Sequence, residues 1–142
     1  MLISTKGRYA LRVMVDLALH KDGNYIPLND IAERQNISEK YLESIVASLS
    51  KAGIVDSVRG KGGGYRLTND LDSYTVARVL NATEGSVAPV ACIAKDGGVD
   101  CERRDVCPTL SMWQDLKKVV DNYFENVTVK DLAEGKFKAE DL

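Results

Sequence analysis

Histidine and tryptophan each occur once and proline three times in 142 residues. The scarcity of histidine argues against enzyme chemistry. A nucleophilic cysteine needs a general base, and the single histidine, His20, stands far from the cysteines in sequence. Tetrahedral zinc is poorly served too, because it favours paired C-x2-C spacing and a fourth Cys or His. No uncharged apolar run of about 18 residues occurs, and the first ten residues, MLISTKGRYA, hold no long apolar stretch. Neither export nor membrane insertion is expected, so the chain reads as cytoplasmic, and the N-x-T triplets at Asn81 and Asn126 read as chance matches to a glycosylation sequon. Strong charge of one sign is also missing. A net charge of −2 argues against indiscriminate coating of nucleic acid.

What the chain does have is a charge asymmetry. Residues 1–68 carry ten Lys/Arg against seven Asp/Glu, and residues 69–142 carry nine against fourteen. The basic part contains VRGKGGGYRL, Val58 to Leu67. A phosphate-binding P-loop would place its lysine after the glycines and follow it with Ser or Thr. Here Lys61 precedes the triple glycine, so that match fails. Tyr65 to Thr68 reads as a returning strand, which makes the segment the tip of a hairpin between Ile54–Arg59 and Tyr65–Thr68.

Three helices precede the hairpin. Ser4 is a plausible N-cap, and Ala10, Val13, Met14, Leu17 and Ala18 form one apolar stripe to about His20. LNDIAERQN is a short second helix with Ile31 and Ala32 inward. Ser38 caps a third, with Leu42, Ile45, Val46 and Leu49 inward and Gly53 ending it. Two short helices joined by a tight turn make a helix-turn-helix. The third helix presents Ser38, Glu39, Lys40, Tyr41, Glu43, Ser44, Ser48 and Lys51 outward, mostly groups able to approach base edges in a major groove. A hairpin directly after it is the order of a winged helix-turn-helix, with Arg59, Lys61 and Arg66 at the wing tip where glycines let backbone approach a phosphate. The expected class is mostly α with a small β-hairpin wing, and the expected partner is double-stranded DNA.

After the wing, Thr75 caps VARVLNATE, closed by Gly85. The next stretch, to Thr109, has neither helical nor strand period and holds all three cysteines, Cys92, Cys101 and Cys107, spaced C-x8-C-x5-C. Structural disulfides are not expected in a cytosolic chain, so three thiols on one loop suggest a thiolate ligand set. Iron–sulfur clusters tolerate such wide spacing, and Pro108 follows the last cysteine as in some cluster proteins. Redox-active thiols and zinc stay open on spacing alone. LSMWQDLKKVVDNYFENV then forms a helix of about five turns. Its stripe of Met112, Trp113, Leu116, Val119, Val120, Tyr123 and Phe124 is broad for one small domain to cover, which points to a second copy of the chain, with packing inside the chain as the alternative. Thr128 with Asp131 resembles a further helix start. The expected organisation is a DNA-binding domain over 1–85, a cysteine loop over 86–108, a dimerisation helix and short terminal helix over 109–134, and a loose tail over 135–142.

STKGRYAL, IAERQNISEKYLE, VRGKGGGYRL and the three cysteines followed by CPT and a W-x-D-L pattern together resemble the Rrf-two family of dimeric winged-helix transcription factors, the IscR, NsrR and CymR regulators. The likeness runs in order over residues 1–134. It implies a recognition helix at Ser38–Lys51, a wing at Arg59–Arg66, a dimerisation helix at Thr109–Asn126 and cluster thiolates at Cys92, Cys101 and Cys107. The DNA-binding set is then Ser38, Lys40, Tyr41, Glu43 and Ser44 on the helix, Arg59 and Lys61 on the wing, and Lys6 and Arg8 on the first helix. The resemblance implies a homodimer and an iron–sulfur cluster, 2Fe–2S ahead of 4Fe–4S, in a regulator of genes such as those of cluster biogenesis. A nitric-oxide sensor of the NsrR kind and a cluster-free thiol regulator of the CymR kind are the alternatives.

Two departures leave the fourth ligand open. IscR members carry a histidine where this chain has Leu110. Some NsrR members use an acid near the start of the first helix, where this chain has Lys6 and Arg8. The middle spacing is also lengthened, by AKDGGVD. Asp96, Asp100, Asp105, Thr109, a small thiol or water are the candidates, and His20 reads instead as a helix-end cap.

Overall fold

Four helix starts are fixed by hydroxyl side chains. In the computed structural model, which describes residues 2–94 and 98–137, Ser4 caps α1 (Thr5–Leu19) and Ser38 caps α3 (Glu39–Lys51). Thr75 caps α4 (Val76–Glu84), and Thr128 caps the short α6 (Val129–Ala133) through a full capping box with Asp131. Each hydroxyl satisfies an N–H that the first turn leaves without a partner. The second helix, α2 (Leu28–Gln35), lacks such a cap but ends cleanly, because Asn36 turns left-handed at φ 52 and Ile37 then plugs into the core. That turn sets α3 against α2.

The core lies between α1, α2, α3 and α4, with Val13, Met14, Ile31, Leu42, Ile45, Leu49, Tyr74 and Val79 fully shielded. One buried charge sits among them. Asp16 is 1% exposed and accepts bonds from Arg34 at 2.7 and 3.1 Å and from Gln35 Nε2 at 2.9 Å, pinning α1 to the end of α2. Burial pushes its pKa up, but the bonds from Arg34 and Gln35 and the Arg34 charge outweigh that and leave it below the usual carboxylate value.

The wing is shorter than the sequence implies: β1 spans Asp56–Val58 and β2 spans Gly64–Arg66, antiparallel, with Asp56 opposite Arg66. Ile54 and Val55 are buried in the core instead, the Ile54 N–H bonded to the Leu49 carbonyl. Ile26 adds a one-residue bridge to Tyr65. Gly64 (φ 155) is what lets the Ile26 backbone come so close, since a Cβ there would lie 2.2 Å from the Ile26 carbonyl oxygen.

The long helix α5 (Leu110–Glu125) is moored at its C-terminal end. Val76 N–H donates to the Val127 carbonyl and Val129 N–H to the Tyr74 carbonyl, both at 2.8 Å, and Phe124 packs with Val76, Leu80 and Val127. No α5 side chain is fully buried. The single broad stripe read from the sequence is two rows: Trp113, Val120 and Phe124 are half-buried, whereas Met112 (53%), Val119 (67%) and Tyr123 (56%) are exposed. Among the described residues no helix is long and apolar enough to cross a membrane.

Candidate nucleic-acid interface and cysteine loop

The outward face of α3 carries the side chains expected to meet DNA, in unequal states. Lys40 and Glu43 are exposed. The Ser38 hydroxyl accepts from the Tyr41 N–H, and the Ser44 hydroxyl donates to the Tyr41 carbonyl, so both are engaged with their own helix. Tyr41 is half-buried, its ring edge-on to Tyr9 of α1 at 5.8 Å. The Arg12 guanidinium lies 5.1 Å from the centre of the Tyr9 ring and bonds the Gln35 side chain. From α1, Lys6 donates to the Ser48 hydroxyl at 2.9 Å, which ties the start of that helix to α3, and exposed Arg8 donates to Thr5. Arg12 was not singled out from the sequence, although it falls one helical turn beyond Arg8 on the same basic edge.

At the wing tip Arg59 and Lys61 are exposed and form no ion pair among the described residues. Arg66, expected beside them, lies elsewhere. It sits at the wing base, bonded to Asp56 at 3.1 Å and to the Gly23 carbonyl at 3.0 Å, with its guanidinium 4.3 Å from the centre of the Tyr25 ring. Tyr25 in turn donates to Asp56 at 2.6 Å. These bonds, that from Tyr25 foremost, hold the Asp56 carboxyl below its usual value. Antiparallel register puts Arg66 opposite Asp56, and the pair clamps the hairpin to the loop before α2.

His20 is the helix-end cap expected of it, its Nδ1–H donating to the Asp16 carbonyl at 2.8 Å.

The three thiols are all free and lie on the segment joining α4 to α5. Cys92 sits in a tight turn, Ala91–Ile93, whose carbonyls are taken up by the loop itself: Val99 N–H bonds Ala91 and Arg104 bonds Cys92 at 2.7 Å. Cys92 also lines a cleft of about 490 Å³ between this loop and α5, with Arg104 and Lys117. Cys101 is exposed. Cys107 is half-buried just before α5, and the Thr109 hydroxyl, 3.4 Å from its sulfur, is the main cause of a pKa below the usual thiol value, helped by the Thr109 and Leu110 N–H groups and the Arg103 charge. The donor set is right for a thiolate-bound group: three soft ligands on one loop, one with its pKa lowered by its neighbours. Their arrangement is open, since among the described residues no three His, Cys, Asp or Glu side chains converge to hold a metal. Of the fourth-ligand candidates, Asp100 and Asp105 are exposed, Thr109 adjoins Cys107, and Asp96 lies outside the described residues.

Comparison with known proteins places these features in context. The profile of the Rrf-two family, described as an iron-dependent transcriptional regulator, matches residues 3–135. The HTH-type transcriptional regulator IscR of Vibrio campbellii is 43% identical over 93% of this chain and 77% of its own length, and that of Yersinia enterocolitica 42% over 93% and 79%. Among solved structures, CymR, the global cysteine regulator of B. subtilis, is 34% identical with a TM-score of 0.74, covering 94% of this chain and 97% of its own. T. potens IscR is 32% identical with a TM-score of 0.73, covering 99% and 91%.

Proposed function

Because the chain belongs to the Rrf-two family of transcriptional regulators and is a DNA-binding regulator of the IscR type rather than an enzyme, we propose that it works as a cytoplasmic homodimer. In this reading it grips an operator with two winged domains and adjusts that grip through an iron–sulfur cluster. The observation that carries the reading is the position of Cys92, Cys101 and Cys107 on the one segment that links α4 of the winged domain to α5. The exposed row of Met112, Leu116, Val119 and Tyr123 supports the dimer, since a face this apolar is best covered by its own copy.

An iron–sulfur cluster, when bound, supplies a core that oxidants, nitric oxide or iron shortage can alter. The chain does the rest. Drawing the three thiolates together shortens the loop between the end of α4 and the start of α5. A shorter loop re-aims the winged domain relative to the dimer helix. Operator half-sites lie about one helical turn apart, so a small change in the spacing of two α3 helices costs several contacts together. The deciding experiment is anaerobic purification with iron and sulfide analysis, followed by operator titration with and without the cluster. A colourless protein would leave the cluster-free thiol regulator, which the lowered pKa of Cys107 and the likeness to CymR favour as the second reading.

Two outcomes bear on the details. Leu110 is half-buried at the start of α5, its N–H on the Cys107 carbonyl at 3.4 Å. Leu110→His is expected to slow oxygen-driven bleaching by adding a ligand there, and equal bleaching rates would refute the idea. Lys61 at the glycine-rich tip has no rigid frame for reading bases, so Lys61→Ala is expected to weaken all DNA sequences alike and flatten the slope of log K against log salt by about 0.9 per lost phosphate contact. Changes at Lys40, Glu43 or Ser44 are expected instead to alter preference at single base positions by about 1–3 kcal/mol. Titration of a site panel at two salt concentrations checks both, and the reverse pattern would make the wing the reader.

A further inference from the structure

Helix α1 begins without an acidic residue in its first turn. The carboxylate that helix N-termini favour comes from far along the chain. Glu84, the last residue of α4, accepts through Oε1 from the Ser4 N–H at 3.1 Å, the Ser4 hydroxyl at 2.5 Å and the Gly7 N–H at 3.0 Å. Gly7 fits this contact. Glycine inside a helix costs up to about 1 kcal/mol relative to alanine, yet a Cβ at this position would stand 2.2 Å from the Glu84 oxygen. The start of α1 is therefore held on two sides: Lys6 binds Ser48 on α3, and Ser4 and Gly7 bind Glu84. Glu84 is also the final helical residue before Gly85 and the cysteine loop.

We propose that Glu84 is a positioning residue that passes the state of the cysteine loop to the DNA-facing end of α1 and, through Lys6 and Ser48, to α3. This rests on the cluster-sensing reading above. A pull on the loop acts first on the last turn of α4. There one carboxylate carries three bonds to α1, so a small rotation releases or engages all three together. The released Ser4 N–H and the cation of Lys6 then settle differently against the phosphate backbone, while the Gly7 N–H keeps its bond to the Ser4 hydroxyl at 3.3 Å.

The test uses the full chain as wild type, Glu84→Ala, Gly7→Ala and the double variant. Each is assayed for iron and sulfide content, melting temperature, and affinity with and without the cluster for a duplex selected by the wild type from random sequence. Gly7→Ala is the informative variant, because alanine favours the helix while its methyl group displaces only the end of a flexible side chain. Both single variants are expected to keep wild-type cluster content while the ratio of loaded to cluster-free affinity falls to within about twofold of one, the usual margin of such comparisons. The double variant is expected to lose no more than either single one. A ratio that stays at the wild-type value, including the case where both affinities fall by the same factor as a merely structural role would give, overturns the proposal. If Glu84→Ala fails to fold, Gly7→Ala decides alone, judged at a melting temperature no lower than wild type. A colourless wild type, or a wild-type ratio of one, sinks the cluster-sensing reading and this inference with it, whereas a wild-type ratio retained in the variants sinks the inference only.

Discussion

Replacing any one of Cys92, Cys101 or Cys107 by serine is expected to leave the anaerobically purified protein nearly colourless. Even changes beside a ligand cost about 10–100-fold in metal affinity, and loss of a thiolate itself removes one of only three thiols in the chain. Serine keeps the size but stays protonated at neutral pH and is a harder ligand for iron. The effect should be similar at the exposed Cys101 and at the half-buried Cys92 and Cys107, because in the proposed cluster each residue contributes coordination and not packing. Melting temperatures of the cluster-free variants should therefore match that of cluster-free wild type. Iron and sulfide contents equal to wild type in all three variants would refute the cluster assignment.

The second large effect is expected at Asp16, far from the cysteines. Asp16→Ala removes the acceptor for Arg34 and Gln35 at the joint between α1 and α2. Breaking a buried pair from one side costs about 3–5 kcal/mol, and the lower end is expected because the Arg34 side chain is 33% exposed and can turn to water. Urea denaturation should show the loss as a lower midpoint, and operator binding should weaken since α2 carries the turn that seats α3. A pH series gives the sign. The folded Asp16 pKa lies below its ordinary value of 3.8, so the network contributes fully above that value and is lost as pH falls through the lower folded value. The wild-type advantage over Asp16→Ala should shrink as the pH falls below about 5. An advantage that persists undiminished in acid would mean that the ion pair is not its source.

Much of the architecture is legible because its causes are local. Ser4, Ser38, Thr75 and Thr128 act on N–H groups within their own helix turn, so helix starts can be read residue by residue. The glycine-rich tip announces the hairpin for the same reason. What stays hidden depends on register or on distant partners. Arg66 reads as a tip cation until strand pairing puts it opposite Asp56. Val55 reads as strand but is drawn inward by the core. Glu84 looks like an ordinary polar helix end, and nothing near it in sequence reveals that it caps α1. Asp16 is the exception that could have been found, as an acid one residue short of Leu17 on an otherwise inward stripe. The relative placement of the three thiols is the least legible, because a segment without periodicity carries no signal for where its side chains meet.

The mooring of α5 makes it a lever. Its fulcrum is the junction where Tyr74 and Val76 hold Val127 and Val129, and its driven end is the one beside Cys107. Sixteen residues give an arm of about 24 Å. A swing of only about 5° then carries the driven end through about 2 Å, a helical-scale displacement from a minor turn at the pivot. In the homodimer proposed above, two such arms laid against each other would move as scissors, so the length of the arm sets how large a turn of the winged domains a given displacement at the thiols produces.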